Sequence, residues 1–407
     1  MDVDFMRFVD YWVGVPVCFM LSLFDKLNFF KRNKRIAPRK ILFIQMSEMG
    51  SAVYSYSAIK RARELYPGAE IHYLIFKEWR EMIEILGAVP KENILTIRGK
   101  GFFSFFVDTL KMILKMRSER FDAVLDLELF SRYSMILSYL GGGRERVGFH
   151  KFHMEGLYRG DLLTRRVYYN ALNHISLNFL SLVEAISSKD VPAVKKSYNN
   201  YFVDKCMICS SDEQKNSILR KLSLINPEIL GAERIVVVNA NASQLLPIRK
   251  WPAENYVGLI RKLLDDKGIF VVLSGVESEK EDGLKICEAV NNKRCINFIG
   301  KTNLRELFDL FNVSDVLVSN DSGPPHFASM TNIKVIVLFG PESPALYAPL
   351  GKNIHVLYSN FACSPCVSAY THRKSACRNN KCLKAITPDM VFNEVLSCLR
   401  EGEGRQE

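Results

Sequence analysis

Short apolar runs alternate with amphipathic stretches along most of the chain. Ile41–Gln45 predicts a buried strand, and Ala52–Tyr66 predicts the helix that follows it. The alternation resumes in the second half, where Arg234–Asn239 and Ile269–Ser274 predict two more strands with a helix between them. Strands that alternate with helices are typical of parallel, doubly wound sheets. The pattern therefore predicts an α/β fold in both halves of the chain.

The chain, with 407 residues, is too long for one ordinary core. We predict two Rossmann-like domains, residues 41–195 and 196–407, facing each other across a cleft. Residues 160–230 are mostly helical in pattern, and we place the boundary in the polar stretch inside them. A ligand is expected in the cleft, at the carboxyl ends of the strands.

Residues 1–40 differ from the rest of the chain. Tyr11–Phe24 is almost wholly apolar, and Lys31–Lys40 is strongly basic. The apolar run is shorter than the roughly 20 residues of a spanning helix, and no small-residue cleavage site follows it. This pattern fits a peripheral, interfacial anchor on the cytoplasmic leaflet of a membrane. The alternative is a terminal helix packed on the protein's own surface.

The net charge of +11 favours an anionic partner. Such a partner could be nucleic acid, an acidic membrane surface or a phosphorylated substrate. The chain carries no zinc-finger or RNA-binding signature, so we expect no nucleic acid partner. The hydrophobic content of 48% and charged content of 24% are those of a folded globular protein.

One stretch, Asp315–Gly340, combines the features of a phosphate site. Val316–Val318 predicts a strand, Asn320–His326 a polar turn that opens a short helix, and Val335–Phe339 a second strand. Backbone N–H groups at such a helix start point out of the carboxyl edge of the sheet, where a phosphate can bind. The alternative is a capped turn of an α/β domain, with Asp321 as the cap.

Four of the ten cysteines lie close together near the end of the chain. Cys363, Cys366, Cys377 and Cys382 have a spacing that can hold zinc, although disulfides or simple loop cysteines compete with it. Any metal there is expected to be structural.

Taken together, these segments resemble glycosyltransferase family 9, the family of the ADP-heptose:lipopolysaccharide heptosyltransferases. The resemblance runs from about Ile41 to the C-terminus and rests on the order of six motifs. They are Ser47–Ser51; Lys250-Trp251-Pro252; Gly275 with Glu277 and Glu279; Gly300-Lys301-Thr302-x-Leu304; Asn320-Asp321-Ser322-Gly323-x-x-His326; and Phe339-Gly340-Pro341.

The resemblance implies the type B glycosyltransferase fold, with no cofactor and no catalytic metal. The C-terminal domain would hold a nucleoside diphosphate sugar, for which ADP-heptose is the candidate, and the N-terminal domain would face a lipid-linked saccharide acceptor. The backbone at Ser322 and Gly323, assisted by Lys250, would hold the diphosphate. The remaining residues implied to line the donor pocket are Asp321, His326 and Glu279, with Glu277 competing for the acidic contact. Each has an ordinary alternative, such as a solvated basic turn for Lys250 and a core histidine for His326.

One position departs from the family's pattern. Many members carry an aspartate directly after the first turn's glycine, where it is expected to act as the general base. Here Gly50 is followed by Ser51, and a serine hydroxyl is a poor base at neutral pH. We predict that Glu48 in the same turn takes the proton, with an exposed turn glutamate as the alternative. If no carboxylate serves, the chain could be a catalytically inactive sugar-nucleotide-binding or scaffold relative.

Overall fold

The structure, a computed structural model, divides the chain into two compact units, Met1–Asp204 (unit 1) and Lys205–Glu407 (unit 2). The residues that it describes are 3–27, 37–46, 49–150, 158–188, 205–242, 246–369 and 375–401. The predicted domain boundary, between residues 195 and 196, lies outside these ranges.

Unit 1 is built on a parallel sheet of six strands in the order β3-β2-β1-β4-β5-β6. In chain order its elements are α1 (Val3–Trp12), α2 (Gly14–Leu27), β1 (Lys40–Ile44), α3 (Met49–Leu65), β2 (Glu70–Phe76), α4 (Arg80–Leu86), β3 (Ile94–Ile97), α5 (Phe102–Glu119), β4 (Ala123–Asp126), α6 (Arg132–Leu140), β5 (Glu145–His150), β6 (Arg165–Tyr168) and α7 (Ile175–Ala185). The central strand β1 is buried on both faces, which its unbroken apolar sequence predicts. Phe43 pairs in register with Tyr73 of β2 and Leu125 of β4.

Unit 2 repeats this plan with a parallel sheet in the order β12-β11-β10-β7-β8-β9. In chain order its elements are α8 (Asp212–Ser223), β7 (Arg234–Asn239), α9 (Ala253–Leu263), β8 (Ile269–Leu273), α10 (Lys280–Val290), β9 (Cys295–Asn297), α11 (Leu304–Asn312), β10 (Val316–Asn320), α12 (Gly323–Ala328), β11 (Lys334–Phe339), α13 (Pro344–Tyr347), β12 (Ile354–Tyr358), α14 (Lys381–Lys384) and α15 (Pro388–Arg400). Its core contains the fully buried Trp251 and Tyr256, whose rings meet edge to face at 4.8 Å.

Both sheets have the strand order of a Rossmann fold. In each, the chain starts at a central strand, builds outward in one direction, and returns to build in the other. The reversal lies between β1 and β4 in unit 1 and between β7 and β10 in unit 2. Ligands of doubly wound sheets bind at the carboxyl ends of the strands at this point. The prediction of two Rossmann-like α/β halves is confirmed.

The expectation that residues 160–230 are mostly helical is wrong at β6, and β5 just before them was not predicted. β6 has only four residues, and its sequence Arg-Arg-Val-Tyr carries two charges. The strand is recognisable only in its tertiary setting, where Arg165 and Val167 are buried while Arg166 and Tyr168 are not. Arg165 is paired with Glu145 on the neighbouring strand β5, which explains how an arginine is accommodated inside.

The N-terminal helices α1 and α2 pack against α6 with their small and polar residues. Gly14, Cys18 and Ser22 form the buried stripe of α2, and the Ser22 hydroxyl accepts a hydrogen bond of 2.7 Å from the backbone N–H of Asp161. On α1, Asp10 pairs with Arg132 at 3.2 Å. The predicted alternative of a helix packed on the protein's own surface is therefore realised on this face.

The outward face of the same helices is apolar. The exposed set is Phe5, Phe8, Tyr11, Trp12, Val13, Phe19, Met20, Leu23, Phe24 and Leu27. The stretch Phe5–Leu27 has 23 residues, so it is long and apolar enough to cross a membrane, although the shorter run Tyr11–Phe24 predicted otherwise. Only 17% of its most apolar 18-residue segment is buried inside the protein.

Candidate functional site

Asn320, the last residue of β10, joins three chain segments at the carboxyl edge of the unit 2 sheet. Its side chain is fully buried. Its amide oxygen accepts a hydrogen bond of 2.9 Å from the backbone N–H of Trp251, and its amide nitrogen donates to the carbonyls of Ala240 and Asn241. Because these loops follow β7 and precede α9, Asn320 fixes the backbone around the point where the strand order reverses.

Asp321 follows and lies beside a buried arginine. Its Oδ2 is 3.3 Å from Nη1 of Arg249, and the two side chains are 5% and 9% exposed. Ser322, not Asp321, occupies the N-cap position of α12, and the Ser322 side chain makes no capping hydrogen bond. The Asp321 backbone N–H donates to Leu338 and prolongs the pairing of β10 with β11. The carboxylate is thus held as part of a buried charge pair.

Ser322, Gly323 and His326 form the rest of the turn. The Ser322 hydroxyl donates to the Asn320 carbonyl at 3.2 Å, and His326 is buried on α12. A methyl group added at Gly323 would lie 3.5 Å from Phe327, an ordinary van der Waals contact. The protein itself therefore leaves room for a larger residue at position 323, so the glycine is not required by packing.

Lys250, which precedes α9, and Glu279, which follows β8, lie near each other. The Lys250 ammonium is 2.7 Å from the Asp282 carboxylate on α10, so this lysine already has an anionic partner. Glu279 is half-buried and accepts a hydrogen bond of 3.0 Å from the backbone N–H of Val276. Burial raises the pKa of Glu279, while the Val276 N–H and the Lys250 charge oppose the increase. A side chain at Gly275 would collide with this carboxylate, at 2.5 Å from Oε2.

Glu277 differs from Glu279 in its surroundings. Its side chain is 69% exposed and lies 3.2 Å from the Lys280 ammonium. An exposed carboxylate beside a lysine is the ordinary solvated arrangement. Of the two competing glutamates, Glu279 is the one turned toward the interior of unit 2.

Two buried polar atoms at this edge, Oγ of Ser274 and Nε of Arg249, have no hydrogen-bond partner within the described residues. Beside them, the Asn241 side chain hydrogen-bonds the Glu279 carboxylate. Buried polar groups in proteins are nearly always satisfied, so such a cluster at the ends of β7 and β8 is typical of a site that receives a polar ligand. Glu342, which follows β11, is buried at the same edge and carries a further carboxylate.

The first turn of unit 1 is described only in part. Glu48 and Ser47 lie outside the described residues, and Ser51 lies in the first turn of α3, half-buried. A second carboxylate adjoins this turn: Oε1 of Glu128, after β4, accepts a hydrogen bond of 2.5 Å from the backbone N–H of Met46. Sequence reasoning missed Glu128, although a carboxylate directly after a predicted strand was the available signal.

The four late cysteines carry free thiols in the structure and lie near one another: burial raises the pKa of the Cys382 thiol, and the charges of the other three add to the increase. In the described part of the chain their sulfur atoms do not form a group of three donor atoms within 4.8 Å of one another. Cys363 and Cys366 are exposed, Cys377 is half-buried and Cys382 is buried. Among the described residues, the one group with three donor atoms within 4.8 Å of one another is His355, Glu394 and Cys398. There the His355 ring nitrogen lies 2.6 Å from Glu394, and burial raises the pKa of the Cys398 thiol to about 12.

The sequence pattern that accompanies this geometry has a known family. The family model of glycosyltransferase family 9 (heptosyltransferase) matches residues 109–376, more than half of the chain. The chain belongs to glycosyltransferase family 9. The expected family and the expected enzyme class, a glycosyltransferase, are confirmed.

Individual members of the family match over most of their length. Lipopolysaccharide heptosyltransferase 2 of Escherichia coli (strain K12) is 25% identical over 78% of this chain and 87% of its own. Lipooligosaccharide heptosyltransferase 2 of Haemophilus influenzae (strain ATCC 51907) is 24% identical over 78% and 88%. The structure of E. coli ADP-heptose LPS heptosyltransferase II has a TM-score of 0.69 at 22% identity and covers 89% of this chain and 99% of that one. At this identity the structural likeness shows the shared fold.

Proposed function

We propose that this glycosyltransferase moves heptose from ADP-heptose to a lipopolysaccharide-core acceptor. The observation that carries the proposal is the buried polar turn Asn320–His326, with Arg249 against Asp321, in a chain of this family. The relatives named above are heptosyltransferases of lipopolysaccharide or lipooligosaccharide, and one is named for ADP-heptose. The donor, the sugar and the acceptor are taken from those names.

Unit 2 would bind the donor at the carboxyl edge of β7 and β10. In this proposal the backbone at Ser322 and Gly323 holds the diphosphate, because amide N–H groups bind phosphate oxygens without the cost of moving a side chain. Arg249 and Lys250 supply positive charge nearby. Their present partners, Asp321 and Asp282, hold both cations in position before the diphosphate arrives.

Glu279 would accept hydrogen bonds from the hydroxyls of the nucleoside, and Asp321 and His326 would line the pocket. Glu279 is better placed for this contact than Glu277, because Glu279 is half-buried beside Lys250 whereas Glu277 is solvated next to Lys280. Ser274 adds a buried hydroxyl whose hydrogen bond a nucleotide could supply.

The reaction joins an acceptor hydroxyl to the anomeric carbon of heptose. The hydroxyl oxygen forms the new bond to this carbon as the bond to the diphosphate oxygen breaks, and ADP leaves with the electron pair. The acceptor proton goes to a carboxylate of unit 1, for which we propose Glu48, with Ser51 contributing a hydroxyl rather than a base. The diphosphate gains negative charge in the transition state, so fixed N–H dipoles and cations lower the barrier.

No step of this scheme uses a metal ion, and we propose metal-independent transfer. We also propose that the enzyme is peripheral to the cytoplasmic face of the inner membrane, where a lipid-linked acceptor would be met. The exposed apolar face of α1 and α2 supports this location, since large apolar patches on a protein surface mark interaction sites.

Calorimetric titration of nucleoside diphosphates and their sugars tests the donor assignment. We expect selective binding of ADP and ADP-heptose by the wild type, unchanged by a chelator, and weak binding by Asp321→Ala. Lys285→Gln, on an exposed residue of α10, is the matched control and should bind as the wild type does. Absence of binding across the panel would overturn the proposal.

A further inference from the structure

Helix α5 carries large apolar side chains on its outward face. The set is Phe102, Phe103, Phe106, Leu110 and Leu114, which are between 48% and 78% exposed. Four of them recur at four-residue intervals, so they form one continuous stripe along the helix, about 18 Å long. The opposite face supplies Met112 and Met116 to the core of unit 1. We call the exposed stripe the α5 ridge.

A basic concavity of about 380 Å³ lies beside helix α5, on a face next to the α5 ridge. Its Lys111 and Lys115 directly follow Leu110 and Leu114 in sequence, so they lie about 100° further round the helix. Three lysines line it: Lys77 after β2, and Lys111 and Lys115 on α5 itself. It also contains Arg98 and Asp108, which neutralise each other through two hydrogen bonds of 2.7 and 2.8 Å. Arg98 lowers the pKa of Asp108 to about 2. The three lysines therefore leave the concavity with a net positive charge.

Helix α5 is close to the N-terminal helices. Phe105 of α5 contacts the ring of Tyr133 at 4.9 Å, and the backbone N–H of Tyr133 donates to Asp10 of α1 at 2.9 Å. Helices α1 and α5 thus both contact the first turn of α6. The exposed apolar residues of α1 and α2 end at Leu27, 75 positions before the α5 ridge begins at Phe102, yet both helical segments belong to one region of unit 1.

We propose that the α5 ridge inserts into the interfacial layer of an anionic phospholipid bilayer, with Lys77, Lys111 and Lys115 contacting the phosphates of the head groups. An apolar stripe bordered by lysines is the pattern of a helix that lies in the plane of a membrane interface. The anionic inner leaflet complements both the lysines and the net charge of +11. The inference rests on the proposed membrane location and adds a second contact to that of α1 and α2.

Two membrane contacts would hold unit 1 differently from a single contact. A single interfacial helix tethers a protein but leaves its orientation free, whereas two separated contacts fix the orientation of unit 1 on the bilayer. They also bind more strongly together, because the second contact forms within an already bound molecule. The α5 ridge would in this way set how unit 1 faces an acceptor embedded in the same membrane.

Vesicle flotation of the full-length protein tests the proposal. The vesicles are phosphatidylethanolamine with roughly one phosphatidylglycerol in four lipids, and they contain no saccharide acceptor. We expect Phe103→Ser/Phe106→Ser/Leu110→Ser to bind about tenfold or more weakly than the wild type, since three apolar side chains no longer insert. Leu224→Ser/Leu230→Ser, on equally exposed leucines of unit 2, is the control and should bind normally.

A charge variant distinguishes the contribution of the lysines from that of the α5 ridge. Lys111→Gln/Lys115→Gln should weaken binding to the anionic vesicles and leave the weaker binding to pure phosphatidylethanolamine unchanged. If the α5 ridge variant binds as the wild type while Phe19→Ser/Phe24→Ser loses binding, α2 alone docks and the inference is wrong. It is equally wrong if the ridge variant changes only the sedimentation mass of the protein, which would make the ridge a protein interface. Nucleotide calorimetry on the same variants reports on the proposed function separately.

Discussion

Arg249 and Asp321 form a buried ion pair at the carboxyl edge of the unit 2 sheet, with Nη1 of Arg249 at 3.3 Å from Oδ2 of Asp321. The two residues are 72 positions apart in sequence and arrive from different strands, β7 and β10. The arginine keeps one buried donor, Nε, without a partner in the described part of the chain. A buried pair of this kind with a remaining donor is well suited to an anionic ligand.

Breaking the pair should cost both stability and donor affinity. We expect Asp321→Ala to lower the free energy of unfolding by about 3 kcal/mol, because a guanidinium is left buried without its counter-ion. The apolar double variant Arg249→Met/Asp321→Leu should recover most of this loss and still fail to bind ADP. Urea unfolding and calorimetry on the same samples measure the two effects. Recovery of ADP binding in the double variant would contradict a role for the pair in the site.

Gly323→Ala should affect the ligand and leave the fold intact. The added methyl group would contact Phe327 at 3.5 Å, so we expect an unfolding temperature equal to that of the wild type. Donor affinity should fall about tenfold or more if the diphosphate lies directly against this backbone, because the methyl group would occupy its space. Gly258→Ala, with equally free space on α9, is the control. Equal affinity in both variants would exclude close approach at Gly323.

The raised pKa of Glu279 predicts a pH dependence of donor binding. A carboxylate must be ionised to accept hydrogen bonds from two hydroxyl groups, so donor affinity should fall on acidification. Because the pKa of Glu279 is raised, the fall should begin at a higher pH than for an ordinary glutamate, whose pKa is about 4.3. Glu279→Gln should abolish this dependence. Glu281→Gln, on an exposed glutamate of α10 paired with Lys285, should retain it. Calorimetry between neutral pH and about pH 5 distinguishes these outcomes.

The raised pKa of Glu279 also predicts how the stability of the folded protein changes with pH. Because burial raises the pKa of Glu279 in the folded protein, its contribution to folding is present below its unfolded pKa and is lost as the pH rises through its folded pKa. We therefore expect Glu279→Gln to unfold at a higher temperature than the wild type at neutral pH in the absence of donor. A lower unfolding temperature would indicate that Glu279 is mainly structural.

Two carboxylates compete for the role of general base. We expect Glu48→Gln to lower kcat by about 10²–10⁴-fold with donor binding unchanged, which is the usual contribution of a positioned base. Glu128→Gln should keep most of its activity, because its carboxylate is already held by the Met46 N–H and its amide oxygen can still accept that bond. Full activity in Glu48→Gln together with a large loss in Glu128→Gln would transfer the role to Glu128.

The sequence predicted well the parts of the fold whose pattern is local. The apolar run at β7 and the strand-turn-strand at β10 and β11 lie close to where they were expected, since continuous apolar residues between turns suffice to indicate them. β5 and β6 carry charged residues whose burial depends on partners such as Glu145 with Arg165. No local pattern reports such a pairing.

The same distinction applies to the site. The turn at Asp321 was predicted because its residues are consecutive in sequence. Arg249 was overlooked beside Lys250, since only the folded chain reveals which of two adjacent cations contacts Asp321. Asn320 was assigned no role because its hydrogen bonds reach Trp251 and Ala240, about 70 and 80 positions away.

Heptose transfer from ADP-heptose to an acceptor is the reaction to measure. The full-length enzyme is incubated with ADP-heptose, a chelator and anionic vesicles that contain a heptose-deficient lipopolysaccharide acceptor. Mass spectrometry then measures the mass of the acceptor. We expect a gain of one heptose residue per acceptor with release of one ADP, and no gain with Asp321→Ala. An unchanged acceptor, despite tight and selective ADP-heptose binding, would contradict this expectation and identify the chain as a donor-binding relative without transferase activity.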